Sequence, residues 1–168
     1  MTATENLQRT SDLYDVHGDT FNSLAIDFHN FGGIDFFSGP AYTVDLFEDN
    51  GLLKTIMQQQ GEGRVLVVNG HGSLACTLLG GNMAKILLDN GWSGTVINGA
   101  IRDRDELAAL PFGCLALGSN PKRSLKDGAG RENITINFGG VDIHPGAMIY
   151  ADSDGVLIEA QRPAASRA

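Results

Sequence analysis

Arg64-Val65-Leu66-Val67-Val68 is almost wholly apolar and β-branched. Such a run predicts a central strand covered on both faces. Gly61 and Gly63 lead into it, and Asn69-Gly70-His71-Gly72 leads out, a loop able to border a site at the strand's exit. Downstream, Asn82 to Asn90 carries Met83, Ile86 and Leu87 at helical spacing with Lys85 and Asp89 opposite, and Gly91 closes it at the C′ position. Thr95-Val96-Ile97 reads as a second buried strand and Cys114 to Leu117 as a third. Upstream, Ala41 to Phe47 is β-rich and leads through Glu48-Asp49-Asn50 into a helix over Leu52 to Gln60. Aromatics interleave with glycines over Phe28 to Gly33 and Phe36 to Gly39, predicting bends that bury rings. Ser11 or Asp12 can cap a short helix through Leu13, Tyr14 and Val16.

Beyond the loop Gly118 to Arg131 the chain changes character. Ile134 to Phe138, Val141 to Ile143, Ala147 to Tyr150 and Val156 to Ile158 alternate with turn residues and have no helical run between them, which predicts a β-meander. Helix and strand alternate in the middle and strands alone flank that part. The expectation is an α/β fold, layered, with a mixed sheet, or two sheets with helices on one side.

The 168 residues suit a single domain with a real core, with loose ends at 1–9 and 160–168. A net charge of −8, from 12 Lys+Arg against 20 Asp+Glu, argues against nucleic-acid backbone as a partner. There is no apolar leader and no membrane-length run, so the expected setting is cytoplasmic. Cys76 and Cys114 lie in apolar surroundings without a CxxC pair and read as small buried hydrophobes.

Chemistry is concentrated in two segments. Gly80-Gly81 stands directly before the helix that begins Asn82-Met83, so the backbone can turn sharply and present free N–H groups to a carboxylate. Asn98-Gly99-Ala100-Ile101 delivers Arg102 and Asp103 to the exit of the Thr95–Ile97 strand, where open α/β sheets place their sites. Arg102 offers a planar fork for a carboxylate or polarised carbonyl, and Asp103 a hard oxygen ligand suited to Mg²⁺ or Mn²⁺. Asp103-Arg104-Asp105-Glu106 also fits a capping box, with Asp103 as N-cap and Glu106 reaching back, opening a short helix that ends before Pro111. From spacing alone the cap is the stronger reading.

Other features carry less. His17, His29, His71 and His144 fall in no metal-ligand spacing, though His71 sits between glycines at the exit of the most buried strand. Gly61-Glu-Gly-Arg64 and Gly128-Ala-Gly-Arg131 lack the fingerprint of a phosphate loop and read as turns. Lys122, Arg123, Lys126 and Arg131 form a basic loop, ordinarily a solvated face, that could also draw an anionic substrate or an acidic partner. Asp152 and Asp154 lack the spacing of a calcium loop and predict an Asx turn.

Seven segments together resemble one family: Asn30-Phe-Gly-Gly33, Phe47-Glu-Asp-Asn-Gly-Leu-Leu53, Gly63-Arg-Val-Leu-Val-Val68, Gly80-Gly-Asn82, Asn98-Gly-Ala-Ile-Arg-Asp103, Asn137-Phe-Gly-Gly-Val141 and Tyr150-Ala-Asp-Ser-Asp-Gly-Val156. The family contains the regulator of ribonuclease activity A (RraA) and the class II 4-hydroxy-4-methyl-2-oxoglutarate aldolases. The resemblance implies a swivelling β/β/α layered domain and a homotrimer with sites near subunit interfaces. For the aldolase branch it implies that Arg102 contacts a 2-oxo acid and acts in catalysis. It further implies that Asp103 holds a divalent metal (Mg or Mn) and that Gly80, Gly81, Asn82 and Met83 bind substrate. The reaction would be retro-aldol cleavage to pyruvate, with oxaloacetate decarboxylation as a side activity. Some aldolases carry an Asp at the position of Gly81, which leaves the proton donor of this chain unassigned. For the regulator branch it implies a non-enzymatic inhibitor of ribonuclease E, but regulators can lack the acidic residue that Asp103 supplies here.

Overall fold

The computed structural model describes residues 9–161. The expected loose ends, 1–9 and 160–168, lie for the most part outside that range. In chain order the strands are β1 Phe21–Ser23, β2 His29–Asn30, β3 Phe36–Asp45, β4 Val65–Asn69, β5 Thr77–Leu79, β6 Gly94–Ile101, β7 Gly113–Ser119, β8 Arg131–Glu132, β9 Ile136–Phe138, β10 Val141–Ile143, β11 Met148–Asp152 and β12 Gly155–Glu159. The helices are α1 Thr10–His17, α2 Gly51–Ile56, α3 Gly81–Asp89 and α4 Arg104–Ala108, with one 3₁₀ turn at Gly18–Thr20.

β4 is the centre. All five of its residues are buried, and it pairs in parallel with β3 on one side and β6 on the other. Its alternation divides two cores. Leu66 and Val68 share one with Leu53 and Ile56 of α2, Met83, Ala84 and Leu87 of α3, and Leu107 of α4. Val65 and Val67 share the other with Phe37, Ile136 and Phe138, and with Ile149, Ala151 and Ile158 of the last hairpin. Helices therefore cover one face and strands the other, which is the mixed α/β, layered arrangement expected.

The connecting element is β3, whose ten residues serve two partners. Phe36–Pro40 pair antiparallel with β11, and Ala41–Asp45 pair parallel with β4. The strand path is β1-β12-β11-β3-β4-β6-β7-β2, with β5 on β6 and β8 on β3. Phe36 to Gly39 is thus strand and not a bend. Phe37 is buried because its ring lies on Gly94 and Gly113, where a Cβ at Gly94 would come 2.5 Å from the ring. Burying such a ring contributes about 1.5–3 kcal/mol.

Other expectations shift. The meander divides, because β9 and β10 form a separate two-stranded ribbon while β11 and β12 join the main path. α2 stops at Ile56, short of Gln60, and the chain continues in turns toward Gly61. α1 starts at Thr10 without a side-chain cap from Ser11 or Asp12. Asp152 does that work from the far end of the chain, accepting from Thr10 N at 2.7 Å and from Thr10 Oγ1 at 2.8 Å. Its Oδ1 also accepts from Asp154 N at 3.0 Å, the predicted Asx turn. β5, over which no element was anticipated, is three buried residues beside β6.

Candidate active site

β5 and β6 end side by side. Leu79 is paired with Ile101, and Arg102 N donates to Leu79 O at 3.0 Å, so Gly80 and the Arg102-Asp103 pair leave the sheet together. The side chains of Asp103 and Arg102 pack directly on Gly80. A Cβ there would lie 2.7 Å from Asp103 Oδ2 and 3.4 Å from Arg102 Cγ, while the Gly80 φ of −124° is open to any residue.

Asp103 has a left-handed backbone, φ 64° and ψ 49°. It occupies the N-cap position of α4 yet makes no side-chain cap there. An N-cap whose oxygen serves its own helix normally has extended backbone. The left-handed turn sends this carboxylate elsewhere, and Oδ2 accepts the Gly81 N–H at the start of α3, at 3.0 Å. The capping box expected within 103–106 is therefore replaced by a cap on a different helix. Glu106 likewise covers Gly81: a Cβ at 81 would meet its carboxylate and come 2.8 Å from its Cβ. One oxygen of Asp103 serves α3, which leaves the second for a cation.

The cleft that results has a volume of about 140 Å³, below the range of drug-sized pockets and suited to a small acid. Gly80, Asn82, Met83, Arg102 and Asp103 line it. Gly81 does not line it, being buried at the helix start. Asn50, Lys54, Thr77, Arg123, Ser124 and Lys126 complete the lining, with Asn50 Nδ2 3.6 Å from Met83 Sδ. Arg102 and Asp103 also border a wider opening of about 600 Å³ with Arg104, Asp105, Glu106 and the Ser119–Pro121 turn. The two residues are thus a shared wall between an inner cleft and an outer vestibule. Arg102 Nη1 donates to Pro121 O at 3.2 Å, which steadies the guanidinium.

Asp49 brings the basic loop to the cleft. Its carboxylate is 2 % exposed and accepts from the backbone N–H groups of Gly51 (2.9 Å), Asp127 (3.1 Å), Gly128 (3.1 Å) and Ala129 (3.4 Å). Burial pushes this carboxyl up, but the four hydrogen bonds outweigh it and hold it below the usual carboxylate range. Asn50 N to Leu125 O, Leu125 N to Glu48 O and Thr77 N to Lys122 O complete the attachment. Lys54, Asn50, Thr77 and Ser124 gave no signal as site residues in the sequence. Lys54 looks like the solvent face of a helix until the loop folds over it.

The loop at the exit of β4 does not join this cleft. His71 Nε2 lies 3.0 Å from Asp45 Oδ1, Asn69 Oδ1 accepts from His71 N at 3.0 Å, and Asn98 Nδ2 donates to Asn69 Oδ1 at 3.1 Å. That network is separate and spends its polar groups internally. Burial pushes the Cys114 thiol up to about 12, and burial, then the nearby Glu48, raises Cys76, which disfavours the thiolate at both. Among the described residues no three His, Cys, Asp or Glu cluster to hold a metal. A cation at Asp103 would complete its shell from water and substrate oxygens, which is how Mg²⁺ is commonly held. The hard carboxylate donor fits such an ion. No described helix is long and apolar enough to cross a membrane.

The family model described as RraA-like, Aldolase/RraA, matches residues 10–158. The chain belongs to the RraA-like family. A relative from Burkholderia mallei (strain SAVP1), provisionally named 4-hydroxy-4-methyl-2-oxoglutarate aldolase, is 50% identical over 154 residues, 89% of this chain and 93% of its own length. The solved structure of the RNA-processing inhibitor RraA from Thermus thermophilis is 41% identical, with a TM-score of 0.86 over 95% of this chain and 96% of its own. A Geobacillus kaustophilus HTA426 structure described as an S-adenosylmethionine: 2-dimethylmenaquinone methyltransferase is also 41% identical, with a TM-score of 0.88 over 95% and 99%. RraA-like chains thus carry three kinds of functional name on one fold, so function must be argued from the site.

Proposed function

We propose that the chain is a class II aldolase, a lyase that cleaves 4-hydroxy-4-methyl-2-oxoglutarate to pyruvate with a divalent metal (Mg or Mn), and that decarboxylates oxaloacetate as a secondary activity. The observation that supports this most is the junction of Arg102, Asp103 and the start of α3 at one small cleft, with Asp103 bonded to Gly81 N–H and Arg102 packed on Gly80. The relative named as an aldolase at 50% identity agrees with it.

A divalent cation at Asp103 would supply Lewis acidity toward the 2-oxo group. The chain's own groups do the rest. Backbone at Gly80, Asn82 and Met83, the residues at the start of α3 that line the cleft, faces the substrate carboxylate, where the start of a helix favours an anion. Arg102 donates to the 2-oxo oxygen, a contact that strengthens as that oxygen gains charge. In the cleavage the C4 hydroxyl loses its proton, the C3–C4 bond breaks, and the electron pair passes into the enolate of pyruvate. The departing half is a second pyruvate, and protonation at C3 turns the enolate into the first. Glu106 occupies the space an Asp at position 81 would fill, and is the carboxylate available to move these protons through the vestibule.

The test is pyruvate release from the hydroxy-methyl oxo acid and from oxaloacetate, with Mg²⁺ and after chelation. Turnover that disappears with chelator and returns with metal supports the reading. Turnover indifferent to chelator, with borohydride trapping substrate on Lys54 in the same cleft, would replace it with Schiff-base chemistry.

The regulator reading is favoured by the 41% identity to a protein described as an RNA-processing inhibitor. It is also favoured by three large apolar side chains, Phe47, Leu74 and Leu125, each at least half exposed, in segments tied together by Glu48, which accepts from Ser73 Oγ and from Leu125 N. A homotrimer would use the same kind of surface, and we propose that assembly for a cytoplasmic protein. A tight complex with ribonuclease E unaffected by Arg102→Ala, together with no turnover on any 2-oxo diacid, would make regulation the function.

A further inference from the structure

The chain carries a net charge of −8, yet the cleft collects Lys54, Arg102, Arg123 and Lys126, and Asp103 is the one carboxylate among its described lining residues. The reading above uses Arg102 and Asp103 on the 2-oxo end. The three other cations of the lining remain without a role. They are a built feature: the loop bearing Arg123 and Lys126 is tied to Asp49 by three backbone hydrogen bonds and to Thr77 by another. Lys54 and Lys126 line the same cleft, where an anion would be attracted by both. Contact with the Lys54 ammonium, then the charges of Arg123 and Arg102, lowers the Lys126 pKa.

Two neutral groups in the same lining are also unspent. Asn50 is 7 % exposed and its Nδ2 donates to Leu78 O at 3.1 Å, yet its Oδ1 has no hydrogen-bond partner among the described residues, and neither does buried Ser124 Oγ. Buried polar atoms are rarely left so in a finished protein. Both residues line the cleft, while these two oxygens are themselves sealed from solvent and lie behind its surface.

We propose that Lys54, Arg123 and Lys126 form the receptor for a second, distal carboxylate. The wall makes the chain selective for dianionic 2-oxo acids over monocarboxylic ones. This inference rests on the aldolase reading of the cleft.

The chemistry separates binding from rate. In the aldol cleavage the distal carboxylate stays a carboxylate from substrate to product, so its receptor acts equally on ground and transition state and appears in KM. In oxaloacetate decarboxylation the same carboxylate gives up its electron pair to the C3–C4 bond cleavage and departs as neutral CO₂. A receptor that holds it charged then favours the ground state. Weakening the wall should raise KM for both reactions while kcat for decarboxylation holds or rises.

The experiment compares wild type with Arg123→Met, Lys126→Met and the double variant. Its substrates are 4-hydroxy-4-methyl-2-oxoglutarate, 4-hydroxy-2-oxopentanoate as the monocarboxylic counterpart, and oxaloacetate. Calorimetry with 2-oxoglutarate and with pyruvate in the presence of Mg²⁺ provides a readout without turnover, and melting curves report folding. The double variant should raise KM for the hydroxy-methyl diacid about thirtyfold, as expected for the loss of charge-assisted contacts, and lower its preference over the monoacid about tenfold or more. Arg123→Lys should recover part of the loss. Equal losses on diacid and monoacid, or a wild type without preference, would overturn the proposal. If wild type turns over nothing, the aldolase reading fails and calorimetry decides the subsite. Tighter binding of 2-oxoglutarate than pyruvate, lost in the double variant, supports it, and equal affinities reject it.

Discussion

Two strand exits on the same edge of the sheet differ in what they do with their polar groups. At the exits of β3 and β4, beside Asn98 within β6, Asp45, Asn69, His71 and Asn98 bond to one another and to backbone. A few residues away, at the ends of β5 and β6, Arg102 and Asp103 each have one modest protein contact, and the cleft they line also carries Lys54, Arg123 and Lys126 with Asp103 as the one carboxylate among its described lining residues. Both regions hold a non-glycine residue in the left-handed conformation, His71 at φ 55° and Asp103 at φ 64°. Strain by itself does not mark the site. The distinguishing property is chemical capacity left over after the protein has satisfied itself, which is what a ligand can use.

The sharpest way to break this contrast is Arg102→Ala. It should cost about 3 kcal/mol of transition-state stabilisation, roughly a hundredfold in kcat, with an unchanged melting curve, since the lost contact is one made to developing charge. A variant that keeps its rate would remove the β6 exit from the chemistry.

Next in size is Asp49→Ala, read in thermal or denaturant unfolding. It strands four backbone N–H groups, two or more of them in the loop that carries the basic wall, and should cost about 2–3 kcal/mol. Its pH dependence has a definite sign. A carboxyl whose folded pKa is depressed contributes stability that is complete above its unfolded value and is lost as pH falls through the folded one. Wild type should therefore lose stability below the ordinary carboxylate range more steeply than Asp49→Asn, while the two run parallel at neutral pH. Parallel acid limbs would show that the clamp is not ionic.

Asp103→Asn sharpens the comparison by separating cap from ligand. Asn accepts the Gly81 N–H and tolerates the left-handed backbone, so the melting temperature should hold within a few degrees. The metal concentration for half-maximal rate should rise about tenfold, near 1.4 kcal/mol. A lower melting temperature with unaltered metal response would leave Asp103 a cap alone. The smallest effect belongs to His71→Ala, below about 1 kcal/mol of stability for a part-exposed pair with Asp45, and less than a twofold change in rate. Loss of turnover there comparable to Arg102→Ala would abolish the distinction between the two exits.

What the sequence determined by itself is what depends on local pattern and composition. The apolar run at Arg64–Val68 gave a strand buried on both faces, the spacing of Met83, Ile86 and Leu87 gave α3 with Gly91 behind it, and the order of elements gave a mixed α/β sheet. Asp103 and Glu106 were visible as acidic residues at a helix start, but the choice of helix was not, because the left-handed φ of Asp103 is set by how β6 meets β5. The basic wall was hidden for the same reason. Lys54 and Lys126 are far apart in the chain, and each looks like an ordinary solvated lysine in its own segment. The buried Asp49, by capturing the backbone of 127–129, together with the backbone bonds of Glu48, Asn50 and Thr77 to the loop, brings them to one cleft. Periodicity records which side of an element is buried, whereas a site is made where elements distant in sequence stop together, and that meeting is decided by tertiary packing.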